Sequence, residues 1–98
     1  MTIEKKLTGV DLILTLEGRL DTNTAPQLEA ALKASLPGVA HLVLDFAQLD
    51  YLSSAGLRVL LEAQKQMNKQ GDMVVRHVNE TIAEIFDMTG FCDILTIE

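Results

Sequence analysis

An apolar segment that leads into a helical pattern constrains the fold of this chain more than any other feature. Residues Val39–Phe46 are apolar except at His41 and Asp45, which is typical of a central strand covered on both faces. Further along, apolar residues recur at helical spacing, at Leu57, Leu60, Leu61 and Met67. The sequence therefore predicts a buried strand that passes through a short loop into a helix of about residues 54–70.

The N-terminal residues predict an antiparallel hairpin. Residues 3–7 and 10–17 alternate between apolar and polar side chains, which indicates two strands, the first at an edge of the sheet. Thr8-Gly9 supplies the turn between them. We expect Gly18 to end the second strand.

Helix signals separate the later strands. Pro26 fits the first turn of a helix that Pro37-Gly38 ends, and Asn79 and Gly90 fit the two caps of another. Strands are predicted at residues 73–78 and near 94–97. The order ββαβαβαβ predicts one α/β domain over residues 1–98. Its sheet is mixed and mostly parallel, with an N-terminal antiparallel hairpin and about three helices.

Two adjacent serines stand where the buried strand feeds its helix. A helix N-terminus has free backbone N–H groups and the positive end of the helix dipole, which favour a hydroxyl and favour a phosphate more. Ser53 or Ser54 is therefore a helix cap or a modification site, and spacing does not decide between them. The polar loop Asp21–Thr24 also joins a strand to a helix, so both loops are expected on one rim of the sheet.

Composition argues against several partners. The net charge is −6 and no cluster of Lys or Arg stands out along the sequence, which disfavours nucleic acid and anionic membranes. No signal peptide or transmembrane segment is recognisable. The single cysteine, Cys92, is predicted to pack and suits a reducing compartment, so we expect a cytoplasmic protein.

The sequence contains no recognisable catalytic or metal motif. His41 and His77 lack ligand residues at metal-binding spacing, so we interpret both as structural or surface histidines. There is no glycine-rich phosphate loop, and Ser54 with Gly56 lacks the first glycine of a nucleophile elbow. We therefore predict no catalytic residue, metal or cofactor, and a protein that is not an enzyme.

Four segments, in order and at matching spacing, resemble a STAS domain, and specifically a bacterial anti-sigma factor antagonist. They are Glu17–Asp21 with Ala25 and Leu28, Leu44–Phe46, Leu52–Leu57, and Phe86–Phe91. The resemblance covers nearly the whole chain. It implies that the unphosphorylated protein binds an anti-sigma factor that is also a GHKL-type serine kinase, and so releases a sigma factor. Phosphorylation ends the complex, and a PP2C-type phosphatase restores it.

The resemblance also implies site residues. The phosphorylated serine of the motif corresponds to Ser54. Ser53 is the alternative acceptor, because it stands where an aspartate is often found and Ala55 stands where Ser or Thr is often found. The implied partner-binding residues are Asp21, Thr22, Asn23, Ser53, Ser54, Ala55, Gly56 and Arg58.

Alternatives stay open for several of these residues. Asp21 is equally a loop cap, and for Thr22 and Asn23 a cap is favoured. Gly56 indicates a close approach of backbone or partner. Arg58 is expected to meet an acidic group of the partner.

The sequence is also compatible with two other functions. One is a STAS subunit of a lipid or anion transporter or of a signalling scaffold, without a serine switch. The absence of a fused sensor or membrane segment in this sequence favours the antagonist. The other is a small phosphate-handling hydrolase, which no motif supports.

Overall fold

Five strands form one sheet in the order in which they follow along the chain. The computed structural model describes all 98 residues. Strand β1 (Thr2–Thr8) is antiparallel to β2 (Asp11–Leu20). Strands β3 (His41–Leu52), β4 (Asp72–Arg76) and β5 (Thr96–Ile97) continue the sheet in parallel. The predicted hairpin and the mostly parallel sheet are confirmed.

Three helices connect the parallel strands. They are α1 (Ala25–Ser35), α2 (Ser54–Gln70) and α3 (Glu80–Thr89), and a 3-10 turn at Phe91–Asp93 precedes β5. The predicted caps of α3 are confirmed, since Asn79 Oδ1 accepts from the Ile82 N–H at 2.9 Å and Gly90 is left-handed at φ 77°. None of the helices has the length and apolar content that crossing a membrane requires.

The helices cover only one face of the sheet. Eight side chains on that face are buried to 1% exposure or less: Leu12, Leu14, Leu16, Leu42, Leu44, Phe46, Met73 and Val75. On the opposite face, Ile13, Val43 and Val74 remain partly exposed. The prediction of a strand covered on both faces is therefore wrong. A β-branched or apolar residue on the open side of a sheet gives the same sequence pattern as a buried one.

Strand β3 also extends beyond its prediction. It runs to Leu52 and meets Ser53 directly, so the expected short loop is absent. Residues Leu49 and Leu52 are buried and pair with Gly18 and Leu20 of β2. This pairing keeps β3 in the sheet as far as the start of α2.

Gly18 does not end β2, contrary to prediction. It has φ 105°, and the β2–β3 register shifts between Gly18 and Arg19. A glycine with positive φ allows a bulge inside a strand, after which pairing resumes. The strand therefore continues to Leu20, next to the end of β3.

Cys92 is exposed rather than packed, because the 3-10 turn that carries it lies outside the core. The buried residue of this segment is Leu95, which is 5% exposed.

Candidate functional site

Ser53 is the N-cap of α2. Its backbone is extended, with φ −99° and ψ 174°, and its Oγ accepts a hydrogen bond from the Gly56 N–H at 3.4 Å. Its own N–H donates to the Leu20 carbonyl at 2.9 Å, which fixes the start of α2 to the end of β2. The Ser53 hydroxyl therefore has a structural role as the cap of α2.

Ser54 is the first residue of α2 and is exposed. Its side chain makes no hydrogen bond within the chain. The two serines thus have different roles, since Ser53 caps the helix and Ser54 presents a free hydroxyl at the positive end of the helix dipole.

These roles predict unequal effects of two alanine substitutions. Ser53→Ala removes the cap and should lower the free energy of unfolding by about 0.5–1 kcal/mol, the lower part of the range for caps because the bond is long. Ser54→Ala should change it by less than about 0.5 kcal/mol. Urea denaturation of both variants measures the difference. Equal losses would contradict the assignment of the cap.

Gly56 is buried beneath the two serines. A Cβ atom at this position would lie 2.7 Å from Leu20 Cγ and 2.7 Å from Leu52 Cδ1. Both leucines are at the ends of their strands and are fully buried. The close approach that Gly56 permits is thus between α2 and this chain's own core, and Gly56 affects the surface only through the position of Ser54 and Ala55.

Asp21 organises the loop between β2 and α1. Its Oδ1 accepts from the N–H groups of Asn23 at 2.9 Å and Thr24 at 3.1 Å. The Thr24 hydroxyl in turn donates to the Arg19 carbonyl at 2.7 Å and accepts from the Asp21 N–H at 2.8 Å. Asp21 is therefore a loop cap in the isolated chain, and one of its oxygens is already committed.

Desolvation alone would raise the pKa of Asp21, but the hydrogen bonds from Thr24 and Asn23 and the nearby Arg19 outweigh it and hold the pKa below the usual 3.8. An aspartate with a lowered pKa stabilises the fold above its unfolded pKa, and this contribution is lost as pH falls through the folded pKa. The relevant window therefore lies below pH 3.8.

Asp21→Asn should lower stability most at neutral pH, and its stability curve should approach that of the wild type in this acid window. Asp50→Asn, at an exposed carboxylate, is the matched control and should run parallel to the wild type. Denaturation midpoints measured from pH 7 downward test this prediction. A constant difference between Asp21→Asn and wild type at every pH would contradict it.

Thr22 and Asn23 do not cap α1, so the favoured interpretation of both is wrong. Their side chains are exposed and make no hydrogen bond within the chain. Asp21 and Thr24 form the side-chain hydrogen bonds of this loop instead. Thr22 and Asn23 are consequently free to contact another molecule.

The two loops share one surface, as the topology predicts. Seven residues line a depression of about 250 Å³ between them: Thr22, Ala25, Pro26, Glu29, Ala55, Arg58 and Val59. Arg58 is exposed and forms no ion pair, even with Glu62 one turn further along α2. A cation without a partner thus stands beside Thr22 and Ala55, one turn from Ser54.

Arg19 and Tyr51 form a second feature of this rim, which the sequence did not indicate. The Arg19 guanidinium carbon lies 4.2 Å from the centre of the Tyr51 ring, and Arg19 Nε lies 3.7 Å from Asp21 Oδ2. The two residues are neighbours because β2 and β3 pair beyond the bulge. Only the strand register reveals this contact.

Both histidines lie at the surface, as predicted. The Nδ1 of His41 is 2.9 Å from an Asp72 oxygen, and the Nδ1 of His77 is 2.9 Å from an Asp45 oxygen. No group of three or more His, Cys, Asp or Glu residues is arranged to hold a metal ion.

Comparison with known proteins identifies the family. The sequence model of the STAS domain family matches residues 2–98 of this chain. The chain belongs to the STAS domain family. Its sequence is 40% identical over 94 residues to BtrV of Bordetella bronchiseptica, a proposed anti-sigma factor antagonist, and the match covers 94% of this chain and 80% of BtrV.

Solved structures of anti-sigma factor antagonists share the fold. An anti-sigma factor antagonist from Mycobacterium paratuberculosis superposes with a TM-score of 0.89 at 23% identity, over 98% of this chain and 83% of the other. SpoIIAA of Bacillus superposes with TM-scores of 0.78 in its unphosphorylated form and 0.77 in its phosphorylated form. The identities are 16% and 17%, over 99% of this chain and 87% and 91% of the two SpoIIAA chains.

The predicted family and fold are thereby confirmed. Several of the relatives that this chain matches are named anti-sigma factor antagonists.

Proposed function

We propose that this STAS protein is a cytoplasmic bacterial anti-sigma factor antagonist whose binding is switched by phosphorylation of Ser54. In the unphosphorylated form it binds an anti-sigma factor and so releases a sigma factor. The anti-sigma factor is also a GHKL-type serine kinase that phosphorylates Ser54 and ends the complex. A PP2C-type phosphatase restores the binding form.

The observation that carries the proposal is the difference between the two serines. The Ser54 hydroxyl is exposed and unbonded, whereas the Ser53 hydroxyl holds the Gly56 N–H. A kinase needs an accessible hydroxyl that can be modified without loss of the fold. Ser54 meets this requirement better than Ser53, which is less exposed and whose Oγ caps the helix.

The relatives support a role of this kind. BtrV, at 40% identity, is a proposed anti-sigma factor antagonist. SpoIIAA, which shares the fold, has been solved both with and without phosphorylation, and this chain superposes equally well on both forms. The fold of this chain is therefore found in a protein that has been solved in a phosphorylated form.

The proposed partner surface is centred on the depression beside Ser54. Thr22, Asn23, Ala55 and Arg58 contribute side chains to this surface, and each is at least partly exposed. Asp21 contributes by shaping the loop and through Oδ2, which also lies 3.7 Å from Arg19 Nε, while Ser53 and Gly56 hold Ser54 in position.

Phosphorylation would act at the interface. A phosphoserine carries about −1.5 to −2 charges, which are costly to bury against a partner without a matching cation. Moving a binding equilibrium from 1:99 to 99:1 requires about 5.5 kcal/mol of differential binding. A phosphate on Ser54, beside the proposed contact, would supply much of this energy.

Calorimetric titration tests the proposal. The anti-sigma factor that co-purifies with the tagged chain is titrated with unphosphorylated protein and with protein phosphorylated by that factor and ATP. Binding by the first form and loss of binding by the second are expected. Equal affinity of the two forms would contradict the switch, and would favour a transporter or scaffold subunit without a serine switch.

A further inference from the structure

A groove between α1 and α2 gathers the positive charge of an otherwise acidic protein. The groove has a volume of about 690 Å³ and is walled by the two helices. Four of the eight Lys and Arg residues of the chain line it, but only two of its fourteen acidic residues do. The basic residues are Lys33, Arg58, Lys65 and Lys69. No run of basic residues marks this cluster in the sequence, because the helices bring it together.

The charges of α2 form one line along the helix. Arg58, Glu62, Lys65 and Lys69 are spaced by four, three and four residues, so their side chains share one face. From Arg58 to Lys69 this line spans about 16 Å. Lys65 and Lys69 are like charges at i,i+4, an arrangement that destabilises a helix in the absence of an anion.

The charges in the groove are mostly without partners. One of the acids, Glu29, is 3.5 Å from Lys33 on the same helix. Arg58, Lys65 and Lys69 form no ion pair within the chain. Three cations along α2 therefore remain available to an external anion.

The floor of the groove is apolar and closed. Leu32, Leu36, Val59 and Ala63 form it, and each is at most 6% exposed. The methylene stems of the lysines add apolar surface along the walls. An occupant therefore needs mainly carboxylates for the basic residues, and apolar side chains that pack on the lysine stems above this closed floor.

The groove is continuous with the proposed partner surface. Glu29, Arg58 and Val59 line both the groove and the depression beside Ala55. A partner that covers Ser54 can therefore extend its contact along α2 to Lys65 and Lys69. Phosphate-rich nucleic acid suits the groove less well, because Glu29 and Glu62 stand among the cations.

From this continuity and charge we propose that the α1–α2 groove binds an acidic, amphipathic segment of the anti-sigma factor. The proposal rests on the proposed function and adds a second contact region to it. Phosphorylation of Ser54 would change binding at the depression. The groove would add an electrostatic contribution to the affinity that phosphorylation does not directly change.

Charge reversal in and outside the groove provides a matched test. Lys65→Glu/Lys69→Glu and Lys5→Glu/Lys6→Glu change the net charge equally, but the second pair lies on the exposed edge strand β1. The groove variant should bind the anti-sigma factor roughly tenfold or more weakly, with much of the change in the association rate, whereas the β1 variant should change by no more than about twofold. Equal effects of the two variants, with wild-type binding intact, would overturn the groove proposal and leave the switch standing.

A second probe is independent of Ser54. A synthetic helical peptide of about 15 residues, with glutamate on one face and leucine on the other, is titrated into isotope-labelled protein and followed by NMR. Shifts confined to residues of the groove are expected, with none from a peptide that has lysine in place of glutamate. Shifts elsewhere, no shifts, or groove shifts caused by a DNA duplex but not by the peptide would overturn the proposal even if Ser54 proves to be the switch.

Discussion

Ser54→Asp is expected to weaken binding to the anti-sigma factor by roughly 100-fold or more, which corresponds to about 2.7 kcal/mol or more. The substituted residue sits beside the depression that Thr22, Ala55 and Arg58 line. A carboxylate there must lose its hydration when the partner docks, and this loss is costly unless a cation pairs with it. Calorimetry or surface plasmon resonance measures the loss.

The same substitution should leave the fold intact. Ser54 is exposed at the first position of α2, where a negative charge interacts favourably with the helix dipole by about 0.3–1 kcal/mol. The midpoint of thermal unfolding should therefore equal or slightly exceed that of the wild type. A large drop in this midpoint would show that the loss of binding reflects unfolding.

Ser54→Asn is the matched control, since asparagine has the shape of aspartate without its charge. It should retain most of the binding. If Asn and Asp weaken binding equally, size rather than charge is responsible, and the electrostatic account of the switch is wrong. If Ser54→Asp binds like the wild type, Ser54 does not lie in the interface.

Gly71→Ala is expected to be the most destabilising of the glycine substitutions, with a loss of about 3 kcal/mol or more. Gly71 follows α2, and a Cβ atom there would lie 1.8 Å from the Ala40 carbonyl oxygen. That oxygen also accepts the Asp72 N–H at 2.9 Å, where β4 starts beside β3. Because both atoms belong to the backbone, relief of the clash requires β4 to move away from β3.

Gly9→Ala is the control for this effect. Gly9 has φ 61° in the β1–β2 turn, and a Cβ atom there would meet no heavy atom within 4 Å. Its replacement costs only the strain of a left-handed residue, about 1–2 kcal/mol. Urea denaturation should rank Gly71→Ala as clearly the less stable variant. The opposite ranking would show that the clash at Ala40 is relieved cheaply.

Local signals accounted for the parts of the fold that were predicted correctly. The bounds of α2 and the caps of α3 depend on residues within one turn of the helix ends, such as Asn79 and Gly90. The length of β3 depends instead on pairing of Leu49 and Leu52 with a strand that lies about thirty positions earlier. Which face of the sheet is covered depends on where the helices pack. The alternation of apolar and polar residues in β2 does not predict this.

Some features of the candidate site could likewise be predicted from the sequence, and others depend on the three-dimensional structure. The serine pair and its place at a helix start follow from sequence, and the resemblance to STAS proteins singled out Ser54. Which serine caps the helix is a matter of backbone geometry at Ser53. The assignment of Thr22 and Asn23 as caps failed because Asp21 and Thr24, in the same polar loop, are placed to form those bonds. The basic groove was not predicted, although three of its four basic residues share one face of α2, because the groove forms only where α1 packs beside that face.

Phosphopeptide mass spectrometry of the protein from its native cells, in growth and under stress, shows whether Ser54 is the switch. We expect a phosphate on Ser54 whose occupancy changes with conditions and which is absent from the fraction that co-purifies with the anti-sigma factor. A phosphate on Ser53 alone, or an unmodified Ser54 in every condition while the protein exchanges between free and bound forms, would contradict this expectation.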